Sequence, residues 1–270
     1  MFEETSVVDR YDYMSTLSSS RWAWEAVRRN PELRDDAANA PPIHYDHTEL
    51  FGKIRMMRIL EPHREAAKWG LSFFPNPNQS AYEASAFWSD DLYPRALAVQ
   101  CVPRGIGEVD LNFVQAVEVC DRIDHVITHS GREQILLRAN GHVAQIRCEG
   151  LSMQDDGLVK MELAIGQLGE ADAKMDALGS LRTLVGETPE PKTQNWTRQT
   201  LVLRDAMIAL DCNDAGLTAF DTACVIYGRD RAEDAWAGPS EAMHQKMKRA
   251  LKLGRHLRDG GYRKFLTGAI

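Results

Sequence analysis

The 270-residue chain lacks several features that would place it in a common class of protein. It contains no run of about 18 apolar residues, so no membrane span is expected. Its first residues, Met-Phe-Glu-Glu-Thr-Ser, are acidic and lack the apolar core of a signal peptide. The five cysteines are odd in number and widely spaced. A cytoplasmic protein with reduced thiols is therefore a better expectation than a disulfide framework.

The motifs of common enzyme classes are also missing. There is no Gly-x-Ser-x-Gly, Walker loop or Gly-x-Gly-x-x-Gly, so we predict no catalytic residue and no cofactor. His125 and His129 have helical i,i+4 spacing, and Cys120, His142 and Cys148 are near in sequence, but no His-Glu-x-x-His or Cys-x-x-Cys accompanies them. A non-enzymatic protein without a metal is the prediction. An enzyme hidden in the middle of the chain is an alternative that metal analysis would test.

Charge is unevenly distributed along the chain, whose net charge is −7. Residues 1–195 carry 20 bases and 30 acids, whereas residues 196–270 carry 12 bases and 9 acids. A basic end on an acidic body predicts a polyanionic partner for that end alone.

The change in residue pattern along the chain predicts an α+β multidomain protein. Its expected parts are a helical N-terminal region (1–70), a mixed α/β middle region with a central antiparallel sheet (71–185), a linker (186–197) and a C-terminal all-α helix-turn-helix domain (198–270).

In the N-terminal region, Ser20 is expected to cap a short helix that carries Trp22 and ends before Pro31. A second helical pattern runs from Glu49 to Ala67, with an interruption near Pro62.

The middle region contains apolar runs typical of strands, and Asn140-Gly141 between two of them predicts a hairpin. A helix is expected near Val114–Ile123. Another is expected from Glu170 to Val185, with an apolar face formed by Met175, Leu178, Leu181 and Val185. The expected strands start at Ala96, Gln134, His142 and Leu158.

Three helical units are predicted after the linker. The first runs from Arg198 to Asp211. The second begins at Thr218, an N-cap with Asp221 three residues later as in a capping box. A connector from Arg229 to Pro239 then leads to a long basic helix, with Ser240 as its expected N-cap and Gly260-Gly261 as its stop.

The basic helix divides into two faces at 100° per residue. Its apolar face carries Met243, Met247, Ala250, Leu251, Gly254 and Leu257. The segment from Gln245 to Arg258 contains no acid, although a solvated helix usually interleaves Glu with Lys. A solvated charged face and an anionic membrane surface are the alternatives to DNA. We favour double-stranded DNA, with these candidate binding residues: Lys246, Lys248, Arg249, Lys252, Arg255, His256, Arg258, Arg263 and Lys264.

Several segments resemble known regulators. Leu178-Gly-Ser-Leu-Arg-Thr-Leu-Val-Gly186, Leu203-Arg-Asp-Ala-Met-Ile-Ala-Leu-Asp211 and the ending Gly-Arg-x-Leu-x-x-Gly-Gly-Tyr-Arg263 resemble the DNA-binding domain of RovC-type activators. Arg10-Tyr-Asp-Tyr and Trp22-Ala-Trp-Glu-Ala-Val-Arg-Arg-Asn-Pro31 resemble the N-terminal region of FseA-like regulators.

This resemblance implies a helix-turn-helix fold, a homo-oligomer and an activator of conjugative-element excision and transfer or of secretion genes. RNA polymerase or an antiactivator protein would be a further partner, and no membrane partner is expected. The alternative is an antiactivator that uses the same C-terminal fold to hold a related activator. The presence of both ends and the acid-free helix favour the activator.

Overall fold

A computed structural model describes residues 7–46, 53–105, 107–108, 116–153, 159–164, 171–185, 193, 195–238 and 241–268. The chain folds into two compact units. The terminal unit joins Met1–Asn30 to Thr193–Phe265, and the sheet unit comprises Pro31–Lys192 with Leu266–Ile270. The expected α+β order, with N-terminal helices, a central sheet and C-terminal helices, is confirmed. The four-part division by residue number remains a prediction.

The helices are α1 (Ser19–Val27), α2 (Pro31–Ala38), α3 (Ala171–Val185), α4 (Arg198–Asp214), α5 (Ala219–Tyr227), α6 (Arg229–Ala237), α7 (Ala242–His256) and α8 (Arg263–Thr267). The strands are β1 (His44–Asp46), β2 (Ile54–Arg58), β3 (Leu97–Pro103), β4 (Arg122–Ile127), β5 (Glu133–Ala139), β6 (His142–Gly150) and β7 (Val159–Ala164). Val7–Thr16 and Arg64–Trp69 are 3-10 helices, and Leu257–Gly261 is a π-helical segment.

The seven strands form one mixed sheet in the order β1-β2-β4-β5-β6-β3-β7. The predicted hairpin is confirmed, because Asn140 and Gly141 both have positive φ (48° and 84°) between β5 and β6. The sheet is not wholly antiparallel, since β2 pairs with β4 and β3 pairs with β6 in parallel. These parallel partners are distant in sequence, so local patterning does not reveal them.

The helix expected from Glu49 to Ala67 is wrong in its described part. Ile54–Arg58 is strand β2, and Arg64–Trp69 is a 3-10 helix; residues 49–52 lie outside the described residues. Pairing with β1 and β4 and burial of Met56 and Met57 outweigh the helical pattern.

Two further expectations for the middle region need correction. The helix near Val114–Ile123 is present at 116–119 among the described residues, whereas Ile123 belongs to β4. Helix α3 is confirmed, and Leu178 and Leu181 pack half-buried against the core as expected. Met175 is exposed instead, whereas Lys174, Ala177 and Leu184 are buried. The Lys174 ammonium donates to the Ala96 carbonyl at 2.6 Å, so its aliphatic stem can lie on the sheet.

The core of the sheet unit lies on both faces of the sheet. On one face, Ala177 and Leu184 of α3 pack with Ala116 and Cys120 over β3 to β6. On the other, Phe73 and Phe87 cover Met57, and their rings are 5.6 Å apart. The sheet is therefore covered on both sides where its central strands pair.

A buried arginine joins the N-terminal and C-terminal segments of the terminal unit. Arg29 donates through Nε and Nη2 to the two carboxylate oxygens of Asp211, at 2.8 and 2.9 Å. Its Nη1 donates to the Glu25 carboxylate at 2.7 Å, and Tyr11 donates to Asp211 at 2.8 Å. Although burial opposes the charge, Asp211 and Glu25 raise the pKa of Arg29. Residues 7–30 are thereby attached to α4.

Helix α1 begins at Ser19 with Ser18 as its N-cap residue, so Ser20 is a buried helical residue and not the cap. Trp22 and Trp24 are both buried, and the Trp22 ring stacks on Phe265 with centroids 6.4 Å apart. Since two residues separated by two positions point to different sides of a helix, each tryptophan needs its own packing partner.

The C-terminal helices of the terminal unit begin as predicted and then differ. Thr218 and Asp221 form the expected capping box. The predicted connector is instead helix α6, which follows α5 after the single residue Gly228. Ser240, the expected N-cap of the basic helix, lies outside the described residues, as does most of the predicted linker, and Glu241 precedes α7. The expected stop is confirmed, since Gly260 has a φ of 130° and breaks the helix.

Within the described part of the chain, no helix is long and apolar enough to cross a membrane.

Gly254→Ala tests how closely α7 approaches α4. A Cβ at Gly254 would lie 2.5 Å from the Ala206 carbonyl oxygen and 3.2 Å from the Leu210 Cβ. We expect the free energy of unfolding in urea to fall by about 1–3 kcal/mol, because the helices must separate. Gly179→Ala in α3 is the matched control, since its Cβ would meet nothing within 4 Å. A Gly254→Ala protein as stable as the parent would contradict this packing.

Asp211→Asn tests the attachment of the N-terminal segment. The substitution keeps the shape of the side chain but removes its negative charge. Among the described residues, Glu25 then remains as the anionic partner of Arg29. Because Asp211 is 33% exposed, we expect a loss of about 2 kcal/mol in urea unfolding, less than for a fully buried pair. Asp214→Asn should cost below about 0.5 kcal/mol, since its interaction with Arg258 is long (3.9 Å) and exposed. Equal losses of unfolding free energy in the two variants would refute the attachment through Asp211.

Candidate nucleic-acid interface

Helix α7 is amphipathic because its apolar residues recur at helical spacing. Met247, Ala250 and Gly254 are buried, and Leu257 continues this face into the π-helical segment. Met247 belongs to the core formed with α4, α5 and α6. Small residues at 250 and 254 let α7 lie close to α4, with the Ala206 carbonyl next to Gly254. This packing determines which face of α7 reaches solvent.

The opposite face of α7 presents basic side chains, which we call the outer face. Its members are exposed and were all predicted from sequence: Lys248, Arg249, Lys252, Arg255 and His256. Arg249 donates to the Gln245 carbonyl at 3.2 Å, and Arg255 donates to the Asn213 amide oxygen at 3.1 Å. Among the described residues, no carboxylate forms an ion pair with these cations. The outer face is thus a positively charged surface without internal neutralisation.

The row of bases on α7 destabilises the helix by charge repulsion and is partly stabilised by the helix dipole. Lys248 and Lys252 are four residues apart, and such like-charge pairs cost about 0.2–0.5 kcal/mol each. A cation in the last turn interacts favourably with the helix dipole, which accounts for Arg255. The dipole does not account for Lys248 in the middle of the helix. An external anion would relieve the repulsion that remains.

Outside the outer face, Lys246 and Arg258 also make contacts within the fold. The Lys246 ammonium lies 4.4 Å from the Tyr227 ring centroid, and the Tyr227 hydroxyl donates to Asp205 at 2.7 Å. Arg258 turns back to Asp259 at 2.7 Å, and this hydrogen bond raises the pKa of Arg258. These side chains are therefore less available to a ligand than those of the outer face.

Arg263 and Lys264 are exposed but lie on α8, beyond the break at Gly260. The Arg263 guanidinium lies 5.7 Å from the Tyr262 ring centroid, and Tyr262 itself is buried. The break separates this basic pair from the row on α7. The structure thus brings five of the nine predicted residues together on one helix face.

Asn213 and Asp214 were not identified from the sequence, although they contact Arg255 and Arg258. Asn213 and Asp214 are far from Arg255 and Arg258 along the chain, so no local sequence pattern indicates these contacts.

The neighbouring helix α6 differs from α7 in its acidic residues. It has Asp230, Glu233 and Asp234 beside Arg229 and Arg231. Of these two helices, α7 is the one that lacks acids.

The histidines considered as metal ligands do not gather in the structure. His125 lies on strand β4, so helical spacing to His129 does not apply, and its Nε2 lies 2.9 Å from a Glu133 carboxylate oxygen. Within the residues that the structure describes, no group of three His, Cys, Asp or Glu side chains has an arrangement that could hold a metal ion.

Comparison with protein families places known domains at both ends. Residues 163–267 match the RovC-type DNA-binding domain, described as a T6SS transcription factor DNA-binding domain. Residues 8–74 match a proteobacterial transcriptional regulator-like domain. No curated protein sequence matches the chain. Both resemblances inferred from sequence motifs are confirmed.

Lys246→Ala and Lys252→Ala separate the fold contact from the outer face. Removing Lys246 should lower the free energy of unfolding by about 0.5–1 kcal/mol, because its cation–π interaction with Tyr227 is removed. Removing Lys252 should leave stability unchanged or raise it slightly, since it relieves repulsion with Lys248. Urea unfolding of both variants measures the difference. The reverse order of stability would show that the two lysines have been assigned wrongly.

Proposed function

The chain is a transcriptional regulator with a RovC-type DNA-binding domain, and we propose that it binds promoter DNA through the outer face of α7 and activates transcription. The regulated genes would be those for excision and transfer of a conjugative element or for secretion. The protein would act in the cytoplasm, by binding and not by catalysis. The observation that carries the proposal is the row of exposed, acid-free bases on α7.

The size and charge of α7 fit a DNA groove. A helix with its side chains is about 10–12 Å across, and the major groove of B-DNA is about 12 Å wide. Lys248, Lys252 and Arg255 would read base edges or bind phosphates from one helix face. Arg249 and His256, on the flank of that face, would bind the phosphate backbone. Helices α4 and α5 would support α7 as in a helix-turn-helix domain.

The acidic part of the chain would serve a different role. Residues 31–192 carry 16 bases and 25 acids, so this surface is unsuited to lie along DNA. We propose that it mediates homo-oligomerisation and contacts RNA polymerase or an antiactivator protein. Oligomerisation would increase overall affinity, because one bound domain raises the effective concentration of the next.

The acid-free helix also favours an activator over an antiactivator. A protein that only holds a related activator has no need for unneutralised cations along one helix. DNA phosphates, by contrast, neutralise such a row and release counterions. This preference concerns the outer face itself and does not depend on the identity of the regulated genes.

The triple variant Lys248→Ala, Lys252→Ala, Arg255→Ala tests the proposal. Binding to DNA from upstream of the protein's own gene would be followed by fluorescence anisotropy at several salt concentrations. We expect weaker binding and a flatter dependence of log K on log[salt], by about 0.9 for each phosphate group that the variant no longer neutralises.

The matched control removes the same charge elsewhere in the terminal unit, with Arg198, Arg229 and Arg231 changed to alanine. These bases lie outside α7, so the control should retain most of the salt dependence. Parent-like DNA binding by the α7 triple variant, with the fold intact by circular dichroism, would refute the proposal.

A further inference from the structure

Asp124 in the sheet unit is surrounded by three arginines. Its carboxylate is fully buried on β4. The Nε atoms of Arg55 and Arg122 both lie 2.9 Å from Oδ1, and Arg138 Nη2 lies 3.1 Å from Oδ2. The Ser85 hydroxyl donates to Oδ2 at 2.9 Å. Burial acts to raise the pKa of Asp124, but the arginine charges outweigh burial and keep that pKa below its usual value.

The cluster carries more positive charge than its acid neutralises. Within the described part of the chain, Asp124 is the acid that forms ion pairs with Arg55 and Arg122. Arg122 and Arg138 are also directly opposite each other on β4 and β5, an arrangement of like charges that destabilises a sheet. Arg55 and Arg122 thus share a single carboxylate, so this pair of guanidinium groups has one more positive charge than Asp124 neutralises.

The three arginines differ in what they contribute. Arg138 is buried and donates to the Tyr82 and Ala84 carbonyls, so it has a structural role. Arg55 and Arg122 each use Nε for Asp124 and Nη2 for the Ser85 hydroxyl. They are still 33% and 29% exposed. Their Nη1 groups make no hydrogen bond to a described residue.

The two exposed guanidinium groups are held in place before any ligand arrives. Both donate to the same pair of oxygens, on Asp124 and Ser85. The Tyr45 ring centroid also lies 5.5 Å from Arg55 Cζ, which restricts that side chain further. Fixed side chains lose little conformational entropy when they bind, so this arrangement favours recognition of an anion.

We propose that Arg55 and Arg122 form a binding site for the phosphoryl group of a small molecule. A phosphoryl group carries the opposite charge to this pair, and guanidinium groups bind its oxygens through paired N–H donors. Nucleic acid is a poorer match, because residues 31–192 are acidic overall. The middle of this regulator thereby gains a place for a small phosphorylated effector, independent of the outer face of α7.

Calorimetric titration of the full-length protein with inorganic phosphate and with AMP, at an ionic strength held constant with KCl, tests the site. The parent should bind at one saturable site. Arg55→Gln and Arg122→Gln should each weaken binding about tenfold, the effect of one charge-assisted hydrogen bond. The double variant should show no binding. Tighter binding of AMP would identify a phosphomonoester as the source, and equal affinity would identify free phosphate; both support the site.

Arg147→Gln is the matched control. Arg147 lies in the same sheet and is 26% exposed, but Asp90 and Glu149 already neutralise it, so its removal should leave phosphate affinity unchanged. Arg122→Lys keeps the charge without the planar fork and should give an intermediate affinity. Circular dichroism and thermal unfolding check that each variant folds.

Three results would overturn the proposal. The first is a parent protein that saturates with neither ligand. The second is an Arg147→Gln variant that loses as much affinity as Arg122→Gln. The third is a double variant that loses DNA affinity while the parent binds no phosphate, which would assign the cluster to nucleic acid.

Discussion

Arg29 places a guanidinium inside the terminal unit, where a charge without partners would be very costly. The cost is offset because Asp211 accepts two of its hydrogen bonds and Glu25 accepts another. The bond to Asp211 spans 182 positions of the chain and attaches the segment that carries α1 to α4. Helix α4 in turn packs against α7. Helix α4 therefore contacts both the N-terminal segment and the basic helix.

The function that we propose for α7 rests on the difference between its two faces. Gly254 on the inner face allows an approach to the Ala206 carbonyl that no larger residue permits. With the apolar residues committed to that contact, the bases at 248, 252 and 255 can only face solvent. Among the described residues, no carboxylate forms an ion pair with these bases, so their charge remains available to an anion. Packing on one side of the helix thus leaves the basic side chains exposed on the other.

The family domains and the compact units divide the chain differently. The N-terminal match covers 8–74, whereas the terminal unit takes in the chain only as far as Asn30 before resuming at Thr193. The C-terminal match starts at 163 and includes α3 of the sheet unit. Each matched segment therefore contributes to both units. A fragment cut at a family boundary would separate partners such as Arg29 and Asp211.

The sequence alone determined the features that depend on neighbours a few residues apart. The Asn140-Gly141 turn, the Thr218 capping box and the two faces of α7 are of this kind, and so is the row of bases from Lys248 to His256. Tertiary structure alone decided that Ile54–Arg58 is a strand, because its partner β4 lies far along the chain. It also decided that three arginines meet at Asp124. Contacts between distant residues leave no periodic pattern in the sequence, and only the folded chain brings these side chains together.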